Sequence, residues 1–153
     1  MPIELGDVMP HFTAQDTNGE KFDTKEYIGK KPLVIYFYPK DNTPVCTAQA
    51  CGFRDQYQDF TDLGAEVIGI SSDTVDSHDA FAKQHKLPFI LLSDTDKKIR
   101  KLFGVPSGLL GILPGRVTYV VDQQGKVVLI FDDSTNATKH ISKALEAIKK
   151  IVS

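Results

Sequence analysis

Leu33-Val34-Ile35-Tyr36-Phe37 is a run of apolar residues with no polar break. A strand with one wet face alternates apolar and polar residues, so an unbroken run predicts a strand covered on both faces, from Pro32 to Tyr38. A helical pattern follows it directly, with Cys46, Ala50, Phe53, Tyr57 and Phe60 recurring at three- and four-residue steps. The alternation then repeats. Glu66 to Ser71 reads as a strand, Val75 to His85 as a helix, Phe89 to Leu92 as a strand and Thr95 to Phe103 as a helix.

Two hairpins frame these units. Phe12 to Ala14 and Lys21 to Asp23 flank the turn Asp16-Thr17-Asn18-Gly19, and Val117 to Asp122 and Lys126 to Phe131 flank Gln123-Gln124-Gly125. A final helix, Thr138 to Ile151, carries Ile141, Leu145, Ile148 and Ile151 on one face. Strand–helix alternation implies parallel pairing through right-handed crossovers, whereas a tight hairpin must be antiparallel. The expected architecture is α/β: a mixed central β-sheet flanked by helices on both faces, with an N-terminal β-hairpin. That is close to a thioredoxin-like fold. A flavodoxin-like sheet is the rival, but it would want another helix where the second hairpin stands.

With 153 residues, no repeat and no linker-like stretch, a single domain over 1–153 is expected. The formal net charge of −2 lacks the basic excess of a nucleic-acid binder. No apolar run approaches the roughly 20 residues of a membrane span. Met1-Pro2-Ile3-Glu4 does not read as a signal peptide.

There are two cysteines, Cys46 and Cys51, too few for a secreted disulfide scaffold and suggestive of a reducing compartment. With four scattered histidines (His11, His78, His85, His140), they lack the spacing of a zinc set, and no metal is expected. Nor do they form Cys-x-x-Cys, which counts against a disulfide reductase. Thr43 suits the N-cap of the helix and Pro44 its first position, so Cys46 falls in the first turn. Unpaired N–H groups and the helix dipole there favour a thiolate over the small buried hydrophobe that a lone cysteine usually is. An ordinary thiol is only about 3% ionised at neutral pH. A helix end supplies about 0.3–1 kcal/mol and at most about 2, so a stable thiolate needs a cation as well. Arg116 stands just before the strand at 117, at an edge that can face the helix start. Arg54, about two turns after Cys46, can share its side of the helix.

Residues 46 and 51 on one helix are separated by about 140° and about 7.5 Å of rise, roughly 8.5–9 Å between Cα atoms. A disulfide tolerates about 7 Å. The two can bridge only if the first turns unwind.

At these residues the chain resembles the peroxiredoxins. It is most similar to the Q class, also called bacterioferritin comigratory proteins, and to their plant and cyanobacterial branch. The likeness runs through Tyr36-Phe-Tyr-Pro39, Thr43-Pro44, Cys46-Thr47, Ala50-Cys51, Phe53-Arg54-Asp55, Glu66 to Ser71, Leu91 to Asp94 and Leu113-Pro-Gly-Arg116. It implies a thioredoxin-like fold and thiol-dependent reduction of hydrogen peroxide and organic hydroperoxides. By the same resemblance Cys46 is the peroxidatic cysteine and Cys51 the resolving one. Thr43 positions the peroxide, Pro39 shields the pocket and Arg116 stabilises the thiolate and the charge on the breaking O–O bond. Thioredoxin or a similar dithiol would reduce the resulting intramolecular disulfide, without metal, haem or flavin. A monomer is expected, in the cytoplasm, or in the chloroplast if a transit peptide has been removed.

Two positions depart from the common pattern. Val45 stands where many members carry Gly, and Gln49 where many carry Glu, although plant-like members share the Gln. The alternative to an enzyme is a redox-switch binding module using the same Cys46/Cys51 pair. Its docking site would be the apolar loop Leu109-Leu110-Gly111-Ile112-Leu113. In an enzyme that loop would instead wall a pocket for bulky hydroperoxides or contact thioredoxin.

Overall fold

The structure is a computed structural model that describes residues 2–105, 107–108 and 113–152. Its main sheet has seven strands in the order β2-β1-β5-β4-β3-β8-β9. These are β1 (Thr13–Gln15), β2 (Lys21–Asp23), β3 (Leu33–Phe37), β4 (Glu66–Ser71), β5 (Ile90–Ser93), β8 (Val117–Val121) and β9 (Val127–Asp132). A short separate pair, β6 (Ser107–Gly108) with β7 (Leu113–Pro114), was not anticipated. The helices are α1 (Pro44–Asp55), α2 (Tyr57–Asp62), α3 (Val75–His85), α4 (Lys98–Phe103) and α5 (Ala137–Val152). Strands β3, β4 and β5 are parallel, and the remaining pairings are antiparallel. The sheet is therefore mixed as expected. The closing β8–β9 hairpin extends it beyond β3, and the N-terminal hairpin extends the opposite edge beyond β5. Among the described residues, no helix is long and apolar enough to cross a membrane.

The unbroken apolar run of β3 has its reason in packing, since all five residues are fully buried. Val34 and Tyr36 point into one core, together with Phe53, Phe60, Phe81, Ile141, Ala144 and Ile148 from α1, α2, α3 and α5. Leu33, Ile35 and Phe37 point into the other, with Ile99 and Phe103 of α4 and Met9, Phe12 and Phe22 of the N-terminal segment. Helices thus cover both faces, four on one side and one on the other.

Two helices differ from expectation. The apolar pattern from Cys46 to Phe60 predicts one helix, but the chain leaves helical geometry at Gln56 (φ −106°, ψ 8°). Phe53 and Phe60 still face the same core across the break, with ring centroids 5.8 Å apart, so periodicity alone does not register it. Helix α4 begins at Lys98 rather than Thr95. The buried Asp94 carboxylate accepts the N–H groups of Ile99 and Arg100, both at 2.9 Å, and so fixes where the helix starts.

The register of β3 against β8 positions everything that follows. Phe37 lies opposite Val117. The exit of β3 toward α1 is therefore beside the entry to β8, where Arg116 stands. The carboxyl ends of β4 and β5 come to the same end of the sheet, because both run parallel to β3.

Candidate active site

Between β3 and α1 the chain makes a tight loop, Tyr38 to Thr43. Asn42 takes a left-handed conformation there (φ 65°), which asparagine tolerates better than most residues. Thr43 occupies the N-cap with extended backbone, and Pro44 opens the helix. The threonine hydroxyl does not cap it, however. It donates to the Lys40 carbonyl at 2.9 Å, bracing the loop, while the Thr43 carbonyl accepts the first helical bond from the Thr47 N–H at 2.8 Å. Pro39 sits partly buried in the same loop.

Cys46 lies in the first turn of α1 and is 1% exposed. Its Sγ accepts a hydrogen bond from Arg116 Nη2 at 3.2 Å. The same guanidinium donates from Nη1 to Gln49 Oε1 at 2.6 Å and from Nε to the Ser134 carbonyl at 3.2 Å. Arg116 is itself buried, so its fork is held from three sides in a water-poor setting. Gln49, one of the two departures noted above, is thereby a fixed support for the arginine, its amide oxygen turned toward the guanidinium.

Arg54 does not join this group. Its Nε donates to Asp55 at 3.0 Å and its Nη1 to the His85 carbonyl at 2.9 Å, where α1 meets α3. Cys51 lies there too, partly exposed, with Sγ 3.8 Å from His85 Nδ1. Both cysteines are free thiols on an intact helix. Leu109 to Ile112, most of the apolar loop considered for docking, lie outside the described residues.

Behind the loop is a buried polar network that sequence reasoning missed. Asp41 is 3% exposed. Its Oδ1 accepts from the Tyr38 hydroxyl at 2.6 Å, and its Oδ2 accepts from Ser77 Oγ at 2.9 Å and meets His78 Nδ1 at 2.7 Å. His78, fully buried on α3, donates from Nε2 to the Leu92 carbonyl at 3.1 Å. Nε2 carries a proton there, because a carbonyl only accepts. Burial pushes the Tyr38 phenol well up, which keeps it a donor to Asp41. Asp73 adds a second anchor, accepting from the Asp41 N–H at 2.8 Å and from Ser71 Oγ at 2.6 Å. The network ties the loop to α3 and to the ends of β4 and β5. It brings Asp41, Asp73 and His78 within 4.8 Å of one another, and these atoms are already engaged in the bonds just given. No local spacing announces it, because Asp41 and His78 are 37 residues apart.

Arg100 is a second tie absent from the sequence reading. From α4 it donates to the Gly115 carbonyl at 3.2 Å and the Tyr38 carbonyl at 3.4 Å. It thus grips the peptides just before Arg116 and just before Pro39. Burial lowers its affinity for the proton, and the nearby Asp94 charge opposes that.

His140 backs the site from α5. Its Nε2 donates to the Asp133 carbonyl and its Nδ1 accepts from Thr118 Oγ1, both at 2.7 Å, which accounts for a neutral ring. Burial pushes its pKa below the usual histidine value, and the Arg116 charge adds to that against the opposing Asp133 carbonyl bond. The folded value is depressed, so the stabilisation is complete above the unfolded value near 6.5 and is lost as pH falls through the folded one. Urea midpoints should therefore fall between pH 7.5 and 5, and His140→Gln should flatten that fall. An unchanged slope would contradict it. Asp133 contributes a separate loss at lower pH, because the Thr135 and Asn136 N–H groups hold its carboxyl below the usual carboxylate value.

A thiol on a helix N-terminus, with a buried arginine donating to its sulfur, is placed to act as a nucleophile. The AhpC/TSA family model matches residues 5–130. Peroxiredoxin Q, chloroplastic, of Sedum lineare is 50% identical over 149 residues, covering 97% of this chain and 80% of the relative. The crystal structure of peroxidoxin BcpB from Mycobacterium tuberculosis superposes with a TM-score of 0.90 at 34% identity, covering 99% of each chain. The bacterioferritin comigratory protein of Xanthomonas campestris, described for its alkyl peroxide reduction activity, has a TM-score of 0.85 at 27% identity, covering 96% of this chain and 100% of that one.

The chain belongs to the AhpC/TSA family and, within it, to the Q class of peroxiredoxins. It is a peroxidase with the thioredoxin-like fold.

Proposed function

We propose that this single-domain chain reduces hydrogen peroxide and organic hydroperoxides at Cys46. The observation that carries the reading is the bond from buried Arg116 Nη2 to Cys46 Sγ at the first turn of α1. The Cys46 thiolate attacks one peroxide oxygen. The O–O bond breaks, and the leaving alkoxide or hydroxide takes a proton to become alcohol or water, leaving a sulfenic acid. Arg116 is a preorganised donor to the charge that grows on the peroxide oxygens. Thr43 orients the peroxide and Pro39 shields the sulfur. Cys51 then condenses with the sulfenic acid, and water is lost as the disulfide forms. The Q-class relatives and the placement of both cysteines on one helix support this route. Two helical thiols need no second subunit, which supports a monomer. Thioredoxin or a similar dithiol closes the cycle. The alkyl peroxide activity of the Xanthomonas protein supports organic substrates. The chloroplast relative supports a plastid location over the cytoplasm.

Peroxidase assays on Cys46→Ser and Cys51→Ser test the two roles. Cys46→Ser should lose turnover altogether. Cys51→Ser should consume one equivalent of peroxide, give a sulfenic acid and stall with thioredoxin. Normal turnover in Cys46→Ser would end the assignment, and full thioredoxin recycling without Cys51 would require another resolving thiol.

A further inference from the structure

We infer that His85 is the general base for Cys51 in the resolving step, an inference that rests on the reading of Cys51 as the resolving thiol. The two cysteines point to different surroundings. Cys46 has Arg116. Cys51 faces α3, where His85 Nδ1 lies 3.8 Å from its sulfur. Arg116 is committed to Cys46, Gln49 and Ser134, so it serves Cys46 and not Cys51. An ordinary thiol is only about 3% ionised at neutral pH, and the thiolate is the nucleophile.

The imidazole is held where it is needed. Its ring stands edge-on to Phe81, one turn back on α3, with centroids 5.1 Å apart. The His85 carbonyl accepts from Arg54 Nη1 at 2.9 Å. Helix α1 thus presents both Cys51 and the Arg54 guanidinium to His85, while its own helix presents the Phe81 ring. The Arg54 bond and fully buried Phe53 fasten the second half of α1 in place. Among the described residues, the turn carrying Cys46 makes no side-chain hydrogen bond to α3, and Arg116 holds it instead. Bridging requires the first turns to unwind, so Cys46 travels and Cys51 waits beside its base.

The step balances without any added reagent. The Cys51 thiol proton passes to His85 Nδ1. The thiolate attacks the Cys46 sulfenic sulfur, and the S–S bond forms as the S–O bond breaks. The departing hydroxide takes the proton back from the imidazolium and leaves as water. Cys51 is oxidised, the Cys46 sulfur is reduced, and His85 returns neutral.

The test uses His85→Gln and His85→Phe in the reduced full chain. One equivalent of hydrogen peroxide is added, samples are quenched with dimedone over time, and intact masses separate sulfenic acid from disulfide. Sulfenic acid formation should proceed at the wild-type rate in both variants. Its conversion to disulfide should slow by about 5- to 30-fold at pH 6.5–7, the upper figure being the gain from full ionisation of an ordinary thiol. The deficit should shrink toward pH 9, where a thiol ionises unaided. Unchanged conversion at pH 6.5 would overturn the inference. A slowing that persisted equally at pH 9 would overturn it too, because it would mark a packing role. Failure of the parent reading looks different: wild-type protein would then form no Cys46–Cys51 disulfide.

Discussion

Arg116→Gln is expected to slow the reaction of Cys46 with hydrogen peroxide by about 10²–10³-fold, the usual cost of removing one preorganised donor from a developing oxyanion. The variant loses the charge next to the sulfur and the donor aimed at it at 3.2 Å. It also leaves Gln49 Oε1 and the Ser134 carbonyl without their partner. Arg116→Lys should recover only part of the rate. A lysine brings a charge but not the planar fork that meets Cys46, Gln49 and Ser134 together. Single-turnover kinetics of sulfenic acid formation isolates this step from recycling. A glutamine variant that reacts within a few-fold of wild type would remove Arg116 from the chemistry.

The second large effect concerns stability. Asp41→Ala should cost about 3–5 kcal/mol, because three side chains lose one shared acceptor at roughly 1–3 kcal/mol for each group left buried and unsatisfied. Tyr38 Oη, Ser77 Oγ and His78 Nδ1 would all lose their shared acceptor, and the buried Tyr38 and His78 have no ready access to water. His78→Gln should cost less by itself, because an amide still offers a donor to Asp41. A double-mutant cycle should show that the two losses do not add, as expected for residues in direct contact. Asp41 also sits in the loop that positions Thr43 and Cys46, so peroxide reactivity should fall together with the urea midpoint. A loss below about 1 kcal/mol would mean the network is not held as a unit.

The parts of this molecule that were legible in the sequence are those whose signal is local. The unbroken run of β3 announces burial on two faces because side chains alternate. Asp16 to Gly19 announces a hairpin through turn chemistry. Thr43-Pro44 announces a helix start, and with it the placement of Cys46. Arg116 was reachable because it precedes a strand that pairs with β3, and the observed register of Phe37 against Val117 puts it there. The features that escaped depend on contacts between distant segments. Asp41 and His78 meet only once α3 is packed over the sheet. Arg100 joins two loops from a third element, and His85 reaches Cys51 across a helix pair. Arg54 shows the converse: helix spacing admitted it to the Cys46 side, but the His85 carbonyl and Asp55 hold it elsewhere. The break at Gln56 was invisible because the apolar face runs through it undisturbed.

The most direct measurement is the intact mass of the reduced protein after one equivalent of hydrogen peroxide at micromolar concentration. The expected product is a monomer that has lost both thiol hydrogens, which requires Cys46 to react and the first turns of α1 to unwind toward Cys51. An unchanged mass would show that Cys46 is not activated, and the peroxidase chemistry placed at Arg116 would lose its basis.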